Sequence, residues 1–209
     1  MSMVTVGIID YQAGNLQSVY NSVLRTGAEC KILKSPCEID TCDKIILPGV
    51  GSFKHESQTL KNEGWTQKII EANNNSMPLL GICLGMQLLF DIGYENGVSE
   101  GLGLIKGRVC RIEREKEVSI PHVGWNDLKF KLKHPVFKGV RDKVDFYFVH
   151  SYECVPEMAE NIVSMTDYFG DLVSSVHCSN VVGVQFHPEK SQPAGLRIIS
   201  NFVNCDKLC

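Results

Sequence analysis

Met77-Pro78-Leu79-Leu80-Gly81-Ile82-Cys83-Leu84-Gly85-Met86-Gln87-Leu88-Leu89-Phe90 is the stretch that decides how this chain folds. An apolar run leads into a glycine-flanked cysteine, and a helix-like apolar run leaves it. Strand, tight turn and helix with sulfur at the apex describe a nucleophile elbow, written G-x-S-x-G when the nucleophile is serine. Gly81 and Gly85 leave space for the turn and for the helix to lie against the strand. The free N–H groups and dipole of the helix start favour negative charge on Cys83, so a reactive thiolate is expected there. A cysteine after an apolar strand is often mere packing, but packing does not call for the paired glycines.

Outward from the elbow, residues 4–9, 30–33, 44–47 and 79–82 read as short buried strands. Residues 15–25 and 56–72 carry apolar side chains near helical spacing, the second in a mostly polar frame that suggests one surface helix. Strands alternating with helices imply βαβ units and a parallel sheet. The second half changes character. Residues 107–112, 145–152, 162–166, 172–177 and 181–186 are short, β-rich and separated by polar turns, as antiparallel strands are. Residues 193–203 close as a helix. The expected fold is α/β, with a central mostly parallel sheet flanked by helices and an added antiparallel portion. No repeat or linker marks a boundary, so residues 1–209 are expected to form one domain.

A formal net charge of −3 gives no electrostatic reason to expect nucleic acid or an anionic membrane as partner. No run approaches the roughly 18 apolar residues of a membrane span. The start of the chain lacks a basic region and a cleavage site and reads as a first strand rather than a signal peptide; the expected location is the cytoplasm, whose reducing conditions suit free cysteines. Nine cysteines, an odd and scattered set without a C-x-x-C pair, suit neither a disulfide framework nor a zinc site. Most are expected to be small core or surface residues, with Cys205 and Cys209 exposed near the C-terminus.

A thiol needs a base and an orienting group to attack at neutral pH. Gly183-Val184-Gln185-Phe186-His187-Pro188-Glu189-Lys190-Ser191 supplies candidates. Pro188 ends the strand, so His187 is expected at a strand end, where open parallel sheets place their sites. Glu189, two residues on, can share the side of His187 and steady its charged form. Among the other histidines, His55 and His134 lie in polar segments and are expected to be solvated. His177 is expected to be partly buried, and His122 and His150 stand in denser motifs. Leu47-Pro48-Gly49-Val50-Gly51-Ser52-Phe53 follows another strand. Its glycines allow close backbone approach, so with the N–H of Leu84 it could hold a developing oxyanion.

Gly-Ile-Cys-Leu-Gly-Met-Gln around Cys83 and Phe-His-Pro-Glu-Lys-Ser around His187 and Glu189 resemble the class I glutamine amidotransferases, which are flavodoxin-like in fold. Pro48-Gly49-Val50-Gly51, Pro121-His122-Val123-Gly124-Trp125-Asn126 and Tyr147-Phe148-Val149-His150-Ser151-Tyr152 narrow the likeness to the glutaminase subunits of imidazole glycerol phosphate synthase. It runs from Gly7 to about Phe202. The resemblance implies that Cys83 attacks the side-chain amide of L-glutamine, that His187 protonates the leaving ammonia and that Glu189 completes the triad. It further implies an oxyanion hole at Val50, Gly51 and Leu84, with the Val50 peptide able to flip. Gln87, Glu95, Ser151 and Tyr152 would bind glutamine's amino-acid end, Glu95 as a buried carboxylate.

The family delivers its ammonia to a (β/α)8-barrel cyclase subunit. Asn15, Trp125, Asn126, Tyr147 and Lys190 lie in segments that face that partner in the family, although Trp125 also suits a core and Lys190 a solvated surface. No metal or organic cofactor is implied. The family commonly has Met where this chain has Val123. That departure leaves room for a paralogue feeding another synthase, such as a sugar amidotransferase. A non-catalytic partner-activating subunit is the reading of another class, and the intact Cys83, His187 and Glu189 argue against it.

Overall fold

The computed structural model describes residues 3–12, 14–114, 118–141 and 143–208, so the expectation for Cys209 lies outside it. The chain begins β1 (Thr5–Ile9), α1 (Leu16–Leu24), β2 (Glu29–Leu33), β3 (Lys44–Leu47), α2 (Phe53–Asn62), α3 (Trp65–Asn74), β4 (Leu79–Ile82) and α4 (Leu84–Leu88). There follow β5 (Phe90–Gly93), β6 (Ser99–Glu100), β7 (Ile105–Arg111), β8 (His122–Asn126), β9 (Lys129–Phe130), β10 (Phe146–His150) and β11 (Tyr152–Pro156). The last elements are β12 (Ile162–Asp167), β13 (Asp171–Cys178), β14 (Val181–Val184) and α5 (Gln192–Asn204).

The main sheet has the order β2-β1-β3-β4-β14-β13-β12-β9. Pairing is parallel from β2 to β14 and antiparallel from β14 to β9. The α/β architecture with an added antiparallel portion is therefore as expected. Strands β3, β4 and β14 are buried along their whole length, as parallel strands covered on both faces must be. Alternate residues feed opposite cores. Ile45 and Leu47 pack on the side of Trp65 and Ile69, and Ile46 packs on the side of Val19, Ile198 and Phe202. Two smaller sheets, β10-β8 and β11-β7-β5-β6, hold the other strands among the described residues.

Several local expectations change. Residues 56–72 are not one surface helix. Gly64 at φ 81° breaks the run into α2 and α3, and Trp65 and Ile69 point into the core. Residues 145–152 are not one strand either. The chain turns at Ser151, so β10 pairs with β8 while β11 pairs with β7 in another sheet. Strand β14 belongs to both portions, parallel to β4 and antiparallel to β13. Residues 122–126, read above only as a motif, form β8.

Gly85 shows why the elbow needs its glycines. A Cβ there would lie 1.8 Å from the Leu47 carbonyl oxygen, and one on Gly81 would lie 2.8 Å from the Gly85 oxygen. The contacts are backbone to backbone, so no rotamer change relieves them. Gly85→Ala should therefore cost more than the roughly 1–3 kcal/mol of ordinary overpacking. The expected result is a large drop in the urea midpoint or loss of cooperative unfolding; a near-native midpoint would disprove this account of the packing.

Candidate active site

The site is assembled at the carboxyl ends of four neighbouring parallel strands. Tyr11 follows β1, the 48–51 segment follows β3, Cys83 follows β4, and His187 lies just beyond β14. Loops at these ends approach one another, which is where open α/β sheets hold ligands. Cys83 sits at φ 55°, ψ −110°, a strained setting for a residue with a Cβ. Its N–H donates to the Val184 carbonyl at 2.8 Å, and its own carbonyl accepts from Gln87 N–H at 3.2 Å, so both flanks of the turn are pinned. The helix behind it is shorter than the sequence suggests, because Phe90 already belongs to β5. The local N–H groups of its first turn, rather than a long dipole, are what Cys83 meets.

His187 is almost fully buried and held from three sides. Its N–H donates to Tyr147 O at 2.9 Å. Ser191 Oγ donates to His187 O at 2.6 Å and accepts from Tyr147 N–H at 3.1 Å. The ring's Nδ1 pairs with Glu189 Oε1 at 2.7 Å, and the Glu189 side chain is wholly buried. Asn15 Nδ2 donates to the same carboxylate oxygen. Nε2 is left for the sulfur: it is shut from water and makes no well-aligned hydrogen bond, and the Cys83 thiol is its polar neighbour. Loose alignment is common for such a pair before substrate binds. Burial works to lower the His187 pKa, but the Cys83 sulfur and the Glu189 carboxylate outweigh it and lift the value to about 9.

A cavity of about 370 Å³ opens over the sulfur, lined among others by Val50, Gly51, Leu84, Gln87, Glu95 and His187. Ser151 and Tyr152 also line it. Gly51 takes φ 112°, which a side chain rarely adopts. Tyr11 props this segment from below, its buried hydroxyl donating to Pro48 O at 2.7 Å. Glu95 departs from expectation: it is half-buried, not buried, because it sits at the rim and accepts the Phe53 N–H at 2.7 Å at the start of α2. Gln87 is buried, and its Nε2 donates to Tyr152 O at 3.2 Å and Gln185 Oε1 at 3.1 Å.

The residues expected at a partner surface divide. Asn15 touches Glu189 directly. Trp125 is 48% exposed and Val123 55%, next to each other on one face of β8. Tyr147 stands against Trp125 with ring centres 5.7 Å apart, and Lys190 Nζ lies 5.5 Å from the Tyr147 ring. Asn126 instead bonds Asp167 O at 2.7 Å.

Sequence reasoning gave no role to Ser191, Gln185 or Tyr11, although the first two stand in the histidine motif. It also misplaced His134, which is buried rather than solvated. Its Nδ1 accepts the Val136 N–H at 3.3 Å, and its ring packs near Phe137 and, from distant β13, His177. Cys205 is half-buried rather than exposed, since Lys44 reaches from β3 to its carbonyl.

The glutamine amidotransferase class-I family matches residues 7–205, and the chain belongs to it. Imidazole glycerol phosphate synthase subunit HisH of Desulfitobacterium hafniense (strain Y51) is 45% identical over 197 residues, covering 94% of this chain and 92% of that protein. Subunit HisH 1 of Campylobacter jejuni subsp. jejuni serotype O:23/36 (strain 81-176) is 42% identical over 200 residues, 94% of this chain and 98% of that protein. Within the class, the chain stands in the family of these HisH subunits. A solved structure, PurLQS from Thermotoga maritima, superposes with a TM-score of 0.75 at 18% identity, over 97% of this chain and 99% of that one, and so shares the fold.

His122, His134 and His150 provide a test of the burial pattern. Burial, the main cause in each case, lowers the first two pKa values to about 4 and the third to about 3. A base whose pKa is depressed on folding contributes stability that is complete above its ordinary 6.5. That contribution is lost as the pH falls toward the folded value. The melting temperature should fall from pH 6.5 to 4.5. His134→Asn, which keeps an acceptor for the Val136 N–H, should reduce that slope; an unchanged slope in the variant would contradict the assignment.

Proposed function

We propose that the chain is the glutaminase subunit of an imidazole glycerol phosphate synthase, working in histidine biosynthesis in the cytoplasm as one amidotransferase domain. The observation that carries this reading is the meeting of the Cys83 thiol with a buried imidazole–carboxylate pair at the floor of one cavity. In the proposed cycle, the Cys83 thiolate attacks the side-chain amide carbon of L-glutamine. Negative charge moves to the carbonyl oxygen, facing the N–H groups of Leu84 and Gly51, with the Val50 peptide as the movable part. Protonated His187 gives its proton to the departing nitrogen, and ammonia leaves. Water then attacks the γ-glutamyl thioester while His187 takes up a proton, releasing glutamate and the thiolate. An imidazole held charged by its neighbours suits the first of these proton transfers.

Glutamine's ammonium suits Glu95 at the rim and the Oε1 of Gln87, whose two Nε2 hydrogens are already committed inside the chain. Ser151 and Tyr152 lie where the chain passes from β10 to β11, beside the same cavity. The exposed Val123–Trp125 face, with Tyr147 and Lys190 beside it, supports docking of a (β/α)8-barrel cyclase there, since exposed aromatics of this kind are enriched at interfaces. Asn15 then acts on the triad from just inside that face. Ammonia protonates in open water and loses its nucleophilicity, so a covered route to the partner is chemically required.

With the barrel cyclase and its nucleotide substrate present, Cys83→Ala should lower glutamate release on the order of 10⁴-fold or more. Cyclisation supported by added ammonium salt should persist. Residual glutaminase near wild type would rule out the triad, and loss of the ammonium-supported reaction would instead indicate failed assembly. Gly51→Ala should depress partner-stimulated turnover far more than the melting temperature, and unchanged stimulated kinetics would reject a role for that peptide.

A further inference from the structure

Gln185 is fully buried, two residues before His187, and no step above uses it. Its surroundings fix its orientation. The Tyr152 carbonyl can only accept. It accepts from Gln87 Nε2 at 3.2 Å and pairs with His150 Nδ1 at 2.8 Å, which must therefore carry the proton. Gln87 Nε2 has one hydrogen left, and it meets Gln185 Oε1 at 3.1 Å. The Gln185 amide then has only one polarity: its Nε2 points at Cys83 Sγ, 3.7 Å away. The same logic extends the other way. His150 Nε2 must accept, so His122 Nδ1, 3.0 Å from it, donates. One backbone carbonyl thus sets the direction of every hydrogen bond from His122 to the sulfur.

We propose that Gln185 is a catalytic residue that stabilises and aims the Cys83 thiolate by donating an N–H to it, with Gln87 as the group that keeps that amide from flipping. This deepens the glutaminase reading and rests on it. Besides Gln185 and the His187 ring, the sulfur meets Val149 O at 3.9 Å, which accepts from a thiol but repels a thiolate. Ionisation therefore removes the contact with the carbonyl and leaves the Gln185 N–H, already aimed at the sulfur, as a standing donor. A buried anion without a donor carries a large desolvation cost, so a neutral, fully satisfied amide is well matched to this place. Other groups that act on the sulfur are His187 beyond β14, Tyr11 after β1 and Cys154 on β11, with His150 and Glu95 on the cavity wall. None but His187 offers it positive charge.

The test reads the sulfur without requiring turnover. Alkylation of Cys83 by iodoacetamide would be followed against pH by peptide mass spectrometry, which separates it from the other cysteines. In Gln185→Leu and the same-length Gln185→Met, the midpoint should rise by about one pH unit, roughly tenfold less reactive thiolate near neutrality. Gln87→Met, which frees the amide to turn, should shift it the same way by less. Should these variants fail to fold, the wild-type Gln185 side-chain amide resonances must move with the Cys83 titration. Midpoints unmoved in folded variants, or amide resonances indifferent to that titration, overturn the proposal. Absent glutamine hydrolysis by the wild-type complex would instead sink the glutaminase reading, and the alkylation profile would still decide the role of Gln185.

Discussion

A cysteine held at positive φ between a buried strand and a short helix is the constraint on which the structure turns. Such a backbone costs of order 1–3 kcal/mol and persists only where its surroundings over-determine it. Here they do. The Cys83 N–H is taken by β14, the helix start is pressed onto the end of β3, and Gly85 permits an approach that any Cβ would forbid. The order β3-β4-β14 thus does two things at once. It supports the strained turn, and it brings the chain that carries His187 and Glu189 to the same edge.

The smaller sheets complete the site from the other side. Strand β10 contributes the Tyr147 backbone that holds His187, and the change of sheet at Ser151 sets Tyr152 O beside Gln87. His122 stacks on Phe148 and Tyr168, with ring centres 4.9 and 4.1 Å apart, and pairs with His150. Two neutral buried histidines are tolerable because every proton between them has a defined acceptor. The exposed face of β8 and the cavity wall are therefore two sides of one hydrogen-bonded layer. A partner settling on Trp125 would press on the same layer that orients the amides beneath the sulfur.

Much of this was legible in the sequence because local rules carry it. The elbow, the strand before it and the His-Pro-Glu stop are all short-range patterns, and α/β alternation follows from them. What escaped reading depends on single backbone angles and on long-range partners. The break at Gly64 is a matter of one φ angle, and the burial of His134 follows from contacts with residues far along the chain. The split at Ser151 looked like continuous strand because β-propensity is the same in either sheet; only pairing with β8 and β7 separates the halves. Gln185 stood in plain view within a quoted motif. Its meaning lay in Tyr152, 33 positions earlier, and no spacing rule links the two.

Asn15 shows how the site takes precedence over local stability. It occupies the residue before α1 at φ 77°, a left-handed setting outside the extended backbone that capping side chains use. It makes no side-chain cap, and its amide N–H is directed to the Glu189 carboxylate. Forgoing a cap costs about 1 kcal/mol. In exchange, one oxygen of a fully buried carboxylate gains a second donor beside the imidazole, and its partner oxygen is left without one. The residue at the start of α1 is thus bonded to the carboxylate that pairs with His187. The end of β1 is thereby tied to the Glu189–His187 pair through a single amide.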